Sequence, residues 1–139
     1  MIAADSNVVI AAVSKWHSFH IPAVAAINRA IAKRELLLPQ RVILESYSVL
    51  TRMPLPHQLR PDATFALLYE TFGSVPIVSL TPERTWQFLR DRAEPTAGKR
   101  LYDAAIAIVA IEGGARQLLT FNPRDFQAFA DRIEIVTPS

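Results

Sequence analysis

The sequence predicts an α/β fold: a parallel β-sheet covered by helices on both faces. Two observations carry that expectation. Short aliphatic runs recur along the chain, at residues 2–4, 36–38, 76–79, 117–120 and 133–136, each too brief for a helix. Between them lie longer stretches whose apolar residues return at helical spacing, so strands and helices alternate, as a parallel sheet requires. Prolines punctuate the junctions, among them Pro39, Pro54, Pro61, Pro76 and Pro82.

Residues 2–4 read as a buried strand stopped by the polar cluster Asp5-Ser6-Asn7, with a short helix over 8–13. Residues 21–33 carry Ala23, Val24, Ile27, Ala30 and Ile31 along one helical face. Leu36-Leu37-Leu38 before Pro39 is a second strand, and 40–52 is a helix ended by Met53-Pro54. Pro61 opens and Gly73 closes a helix over 62–72, and 76–79 forms a third strand. Thr81-Pro82-Glu83 supplies a hydroxyl N-cap, a proline at the first helical position and an acid in the first turn. A helix therefore starts there and runs to about residue 92. The most apolar helix, 101–112, stops at Gly113-Gly114, and strands at 117–120 and 133–136 complete the set. With no repeat, low-complexity segment or linker, the expectation is one domain over residues 1–139.

Half of the 139 residues are hydrophobic and a fifth are charged, the profile of an ordinary globular chain. The absence of cysteine excludes disulfide frameworks, thiolate nucleophiles, zinc ribbons and iron–sulfur clusters. Net charge is +2, too mild to name a nucleic-acid partner by itself. The bases are mostly arginine, which suits phosphate and equally suits a GC-rich genome. Met1-Ile2-Ala3-Ala4-Asp5 carries no basic leader, and the longest apolar run, 104–111, is too short to span a bilayer, so a cytoplasmic protein is expected.

In such sheets reactive groups gather outside the carboxyl ends of the strands, where strand order reverses. The polar residues at those ends are mostly acids. Asp5 closes the first strand, as a turn residue and N-cap or as a functional carboxylate. Glu45 shares a helical face with Val42 and Val49, beside Ile43, Leu44, Tyr47 and Leu50. A glutamate there needs a partner, either an arginine or a cation. Asp103 stands at the start of the apolar helix, where capping and the helix dipole alone accommodate it. Asn122 and Asp125 follow the fourth strand, and each suits a turn.

The fold draws these positions toward one crevice, and crowded carboxylates repel each other unless a cation holds them. With His17, His20 and His57 as the only imidazoles, oxygen ligation favours Mg²⁺ or Mn²⁺ over zinc, and such clusters serve phosphoryl chemistry. His17 and His20 offer RNA contact or proton transfer, or else are surface and capping residues. Lys99 and Arg100, just ahead of Asp103, grip a phosphate or form a solvated basic loop.

Four segments, in order, resemble the motifs of PIN domains, in particular the VapC-type toxins of bacterial toxin–antitoxin pairs. Asp5-Ser6-Asn7-Val8-Val9 looks like the opening motif, and residues 42–52, with one glutamate in an apolar helix, like the second. Leu101-Tyr102-Asp103-Ala104-Ala105-Ile106-Ala107 looks like the third, and residues 118–126 resemble the closing segment. The resemblance implies a three-layer α/β/α sandwich around a short parallel sheet, as a homodimer. It also implies a Mg²⁺- or Mn²⁺-dependent endoribonuclease that cuts structured RNA such as tRNA or rRNA to arrest translation and growth. Asp5 and Asp103 become metal ligands, Glu45 a ligand or the group that orients the attacking water, and Asn7, Thr120 and Asn122 supporting residues. Many members have a fourth aspartate where this chain has Asn122; either Asp125 supplies that charge or the site rests on three acids. A neutral Asn122 disfavours a second metal. The implied partner is a small VapB-type antitoxin that blocks the acidic pocket.

Two other readings stand beside this one. A PIN-fold binding module without catalysis is favoured by Asn122 alone. An acidic-pocket enzyme or receiver domain for small phosphates would ordinarily carry a glycine-rich phosphate loop, which four glycines do not supply.

Overall fold

The computed structural model describes residues 1–92 and 98–139, with Lys99 described by its backbone alone. Among these residues five short strands form the sheet: β1 (Ile2–Ala4), β2 (Leu36–Pro39), β3 (Ile77–Val78), β4 (Gln117–Leu119) and β5 (Glu134–Val136). They lie in the order β3-β2-β1-β4-β5, every neighbouring pair parallel. Ala3, Ala4, Leu36, Leu37, Leu38 and Leu118 are shut away from water. These strands are covered on both faces, which is why they read as unbroken aliphatic runs rather than alternating ones. The chain steps outward from β1 to β2 and β3, then returns to the far side of β1 with β4. Strand order therefore reverses between β1 and β4.

On the outward path lie α1 (Ser6–Val13), α2 (His20–Ala32), α3 (Gln40–Thr51) and α4 (Pro61–Phe72). They pack on one another, and right-handed crossovers in one direction put them on one face of the sheet. After the reversal come α5 (Pro82–Arg90), α6 (Lys99–Glu112) and a 3₁₀ helix, Pro123–Phe129, on the other face. The result is the three-layer α/β/α sandwich. Each helix is held by the stripe it buries: Ala23, Ile27 and Ala30 of α2, Val42, Ser46 and Leu50 of α3, and Thr64, Leu68 and Phe72 of α4. α6 is apolar on two sides. Its Ile106, Ala107 and Ala110 join the main core, while Ala104 and Ile108 close a smaller cluster around Phe88 of α5. Among the described residues no helix is long and apolar enough to cross a membrane.

The boundaries depart from expectation at several elements; α1 begins at Ser6 rather than at 8, and α5 ends at Arg90 rather than near 92. α6 begins at Lys99 rather than at 101, because Gly98 turns into it with a φ of 69° and the leading polar residues carry no apolar period. The third strand shrinks to Ile77–Val78; Pro76 lends only its carbonyl, which accepts the Leu38 N–H at 2.9 Å. Residues 122–125, read as a turn, lead into the 3₁₀ helix, anchored by the fully buried Phe126.

Candidate active site

The sheet register builds the centre of the site. β1 and β4 pair Ala4 with Leu119, so the next residues, Asp5 and Thr120, emerge side by side where strand order reverses. The Asp5 N–H donates to the Leu119 carbonyl at 2.9 Å. Thr120 is 0% exposed and Asp5 7%. The Thr120 hydroxyl donates to Asp5 Oδ2 at 2.9 Å, and the Ser6 N–H donates to Oδ1 at 2.8 Å. The same hydroxyl oxygen accepts the Asn122 N–H at 3.0 Å and Asn7 Nδ2 at 3.4 Å. Asn7 Oδ1 accepts the Phe121 N–H at 3.2 Å, so Asn7 ties α1 to the loop that follows β4.

Burial pushes the Asp5 carboxyl from its ordinary 3.8 up to about 6. The bonds from Thr120 and Ser6 pull it back down, while the charges of Asp103 and Glu45 push it further up. Those two acids, from α6 and α3, thus act on Asp5 across the crevice. A raised value means that the folded chain holds the proton more tightly than the unfolded one. The stability owed to this group is fully present below 3.8 and is lost as pH rises through about 6. In EDTA the wild-type protein is expected to lose about 2 kcal/mol relative to Asp5→Asn between roughly pH 4.5 and 7.5. Denaturant midpoints of the two proteins measure this, and a constant difference would refute it.

A family model described as PIN domain matches residues 2–132. The chain belongs to the PIN-domain family. Its relatives include Ribonuclease VapC40 of Mycobacterium tuberculosis, in strains CDC 1551 / Oshkosh and ATCC 25618 / H37Rv. That protein is 32% identical over 142 residues, covering 99% of this chain and 100% of the relative. Ribonuclease VapC27 of strain ATCC 25618 / H37Rv is 32% identical over 111 residues, 80% of this chain and 77% of the relative. The crystal structure of Mycobacterium tuberculosis VapC20, described as a sarcin-ricin loop cleaving toxin, shares the fold. Its TM-score is 0.65 at 18% identity, over 92% of this chain and 95% of that one.

Within this PIN domain the remaining acids sit differently from one another. The buried stripe of α3 is Val42, Ser46 and Leu50, so Glu45 lies one step off it, 33% exposed, rather than inside an apolar face. Its Oε2 meets Arg41 Nε at 3.6 Å, and the Arg41 guanidinium lies over the Tyr102 ring, 3.8 Å from its centre. A pair this open to water contributes little stability; the Arg41–Tyr102 contact, by contrast, bridges α3 and α6. Their contact carries no signal in the sequence: Arg41 belongs to no motif, Tyr102 lies in the third, and the two meet only because distant helices pack together. Asp103 lies a full turn inside α6, so N-terminal capping does not account for it.

Asp125 is exposed on the 3₁₀ helix and shares a cavity of about 490 Å³ with Asp103, Arg100 and Arg124, closed by Ala104, Ala128 and Phe129. Asn122 is exposed, bonded to Thr120 through its backbone. The Lys99 side chain lies outside the described residues. Among the described residues no three His, Asp or Glu side chains stand grouped as a ready-made cation site. In kind, however, the donors suit a hard cation: they are all oxygen, and their mutual repulsion already registers on Asp5.

Proposed function

We propose that this PIN domain, over residues 1–139, is a VapC-type endoribonuclease and the toxin of a toxin–antitoxin pair. It cuts structured RNA such as tRNA or rRNA with Mg²⁺ or Mn²⁺ and so arrests translation and growth. It acts in the cytoplasm as a homodimer, and a VapB-type antitoxin silences it by blocking the acidic pocket. The observation that carries this reading is Asp5: buried at the strand-order reversal, fixed by the Thr120 hydroxyl, and under the charge of Asp103 and Glu45.

Asp5, Asp103 and Glu45, with Asp125 beside Asp103, are the residues that would hold the cation. When bound, it supplies charge neutralisation at the phosphate and a more acidic attacking water. The chain does the rest. Thr120 fixes Asp5 through Oδ2, and the Ser6 N–H fixes it through Oδ1, so the carboxylate enters the reaction already oriented. Asn7 and Asn122 hold the Thr120 oxygen in turn. Glu45, part open to water, is placed to orient the water for in-line attack or to join the ligands. Arg100 and Arg124, on the cavity that Asp103 and Asp125 share, present guanidinium forks to phosphates flanking the scissile bond; Lys99 is assigned the same role.

The test is cleavage of total cellular RNA by purified, antitoxin-free protein, with Mg²⁺ or Mn²⁺ and with EDTA. Discrete fragments are expected only with the cation. A second readout does not depend on activity: Mg²⁺ is expected to raise the melting temperature of the wild-type protein and not that of Asp5→Asn. Folded protein that neither cleaves RNA nor responds to the cation would favour the non-catalytic binding module, with Asn122 as its cause.

A further inference from the structure

A row of aromatic rings leads away from the acid cluster. We propose that it is a stacking platform for unpaired bases in a single-stranded segment of the RNA. The proposal rests on the ribonuclease reading above and names the part of the substrate that the protein grips.

Five rings from three separate segments make the row. Phe121 stacks on Phe19 with ring centres 4.6 Å apart and planes 17° from parallel. Phe19 lies 5.9 Å from His17, and His17 lies 5.5 Å from Trp16. Trp16 then stacks on His57 at 4.1 Å and 19°. One end is fastened to the site: Phe121 follows Thr120 directly, and its N–H is held by Asn7, which also contacts the Thr120 hydroxyl. Phe19 is 49% and Trp16 45% exposed, while Phe121, His17 and His57 are half-buried. Large aromatic surface left open beside a reaction centre is costly unless something covers it.

The row is two stacked pairs, Phe121–Phe19 and Trp16–His57, joined through His17, whose ring is tilted 40° to Phe19 and 41° to Trp16. His17 Nδ1 accepts the Phe19 backbone N–H at 3.0 Å, which fixes the His17 ring relative to the backbone. Burial, with the nearby His20, holds the His17 imidazole below its ordinary value and so favours the neutral ring. His20 is not part of the row; its Nδ1–H donates to the Ala11 carbonyl at 2.8 Å, anchoring the start of α2.

Charge points to a nucleic-acid occupant. The segments that carry the row contain no acid between residues 6 and 34, nor between 46 and 61. Their charged residues there are basic, with Lys15 exposed beside Trp16 and Arg52 close to His57 in sequence. Along residues 6–34 and 46–61 a polyanion therefore meets no carboxylate, whereas the third segment carries Asp125 four residues after Phe121. Every base offers a π-face to such rings, and single-stranded RNA is the form whose bases are free to stack on them.

The experiment uses the full chain in EDTA, where binding is read without cleavage. In a Trp86→Phe background the fluorescence reports Trp16, and the probe is a short single-stranded oligoadenylate. Quenching is expected on titration. Phe19→Ala is expected to weaken binding on the order of 10- to 100-fold, Phe19→Leu to weaken it comparably, and Phe19→Tyr to restore it. Melting temperatures show that each variant is folded. Trp16→Ala, followed by anisotropy of a labelled oligonucleotide, is the second variant.

If the wild-type protein binds and cleaves RNA while Phe19→Ala and Trp16→Ala bind equally well, the stacking platform is overturned and the ribonuclease reading stands. Full retention by Phe19→Leu would also overturn it, because apolar bulk would then suffice. Variants that keep RNA affinity but lose a small protein partner would make the row a protein-docking face instead. If the wild-type protein neither binds nor cleaves RNA, the ribonuclease reading falls, and the platform with it.

Discussion

Asp5→Asn is expected to abolish RNA cleavage, a loss on the order of a thousand-fold or more, equivalent to about 4 kcal/mol of barrier, while the protein stays folded. Two opposing effects set its stability. Removing the charge relieves a burial penalty of about 3 kcal/mol at neutral pH, since the Asp5 carboxyl is pushed up to about 6. Asparagine, however, offers one acceptor where both the Ser6 N–H and the Thr120 O–H now donate. Losing one of those bonds costs about 1–2 kcal/mol. The variant should therefore be more stable than the wild-type protein at pH 7.5, by about 1–2 kcal/mol. Cleavage assays beside denaturant midpoints measure both halves. Full activity per folded molecule would remove Asp5 from the reaction.

The second large effect is expected at Thr120→Val. The two side chains have the same shape, so packing is kept and a single hydroxyl is lost. That hydroxyl donates to Asp5 in a place closed to water and accepts from Asn122 nearer the surface, so its loss strands the buried Asp5 oxygen. The expected cost is about 2–3 kcal/mol of stability. Cleavage is expected to fall roughly 10- to 100-fold, because the Asp5 carboxylate is no longer held in one orientation. Thr120→Ser should restore both. A valine variant that cleaves RNA at the wild-type rate would confine Thr120 to a structural part.

The sheet and its central acid were legible because they depend on local signals. Aliphatic runs in the strands, the break at Asp5 and the Gly113-Gly114 stop are each written within a few residues, and the parallel pairing follows from their alternation with helices. Glu45 was harder to place, since a helical face read from sequence is wide. Val42, Ser46 and Leu50 took the buried side, and rotation by one position moved Glu45 toward water. Asp103 looked like a helix-start residue because the polar leading turn of α6 leaves no periodic trace. The Arg41–Tyr102 contact and the row from Phe121 to His57 were not legible. They join side chains from separate segments whose approach only the finished packing decides.

The placement of β1 at the middle of the sheet has a consequence for how the protein is made. Its first strand is the one that β4 must later flank, and the bond from Thr120 to Asp5 spans 115 positions. A growing polypeptide that has left the ribosome only as far as α6 owns Asp5, Glu45 and Asp103 but not the hydroxyl that aligns the first of them. Contacts so distant in sequence are slow to close. Until β4 has emerged and paired with β1, the Asp5 carboxylate therefore lacks the hydroxyl that orients it.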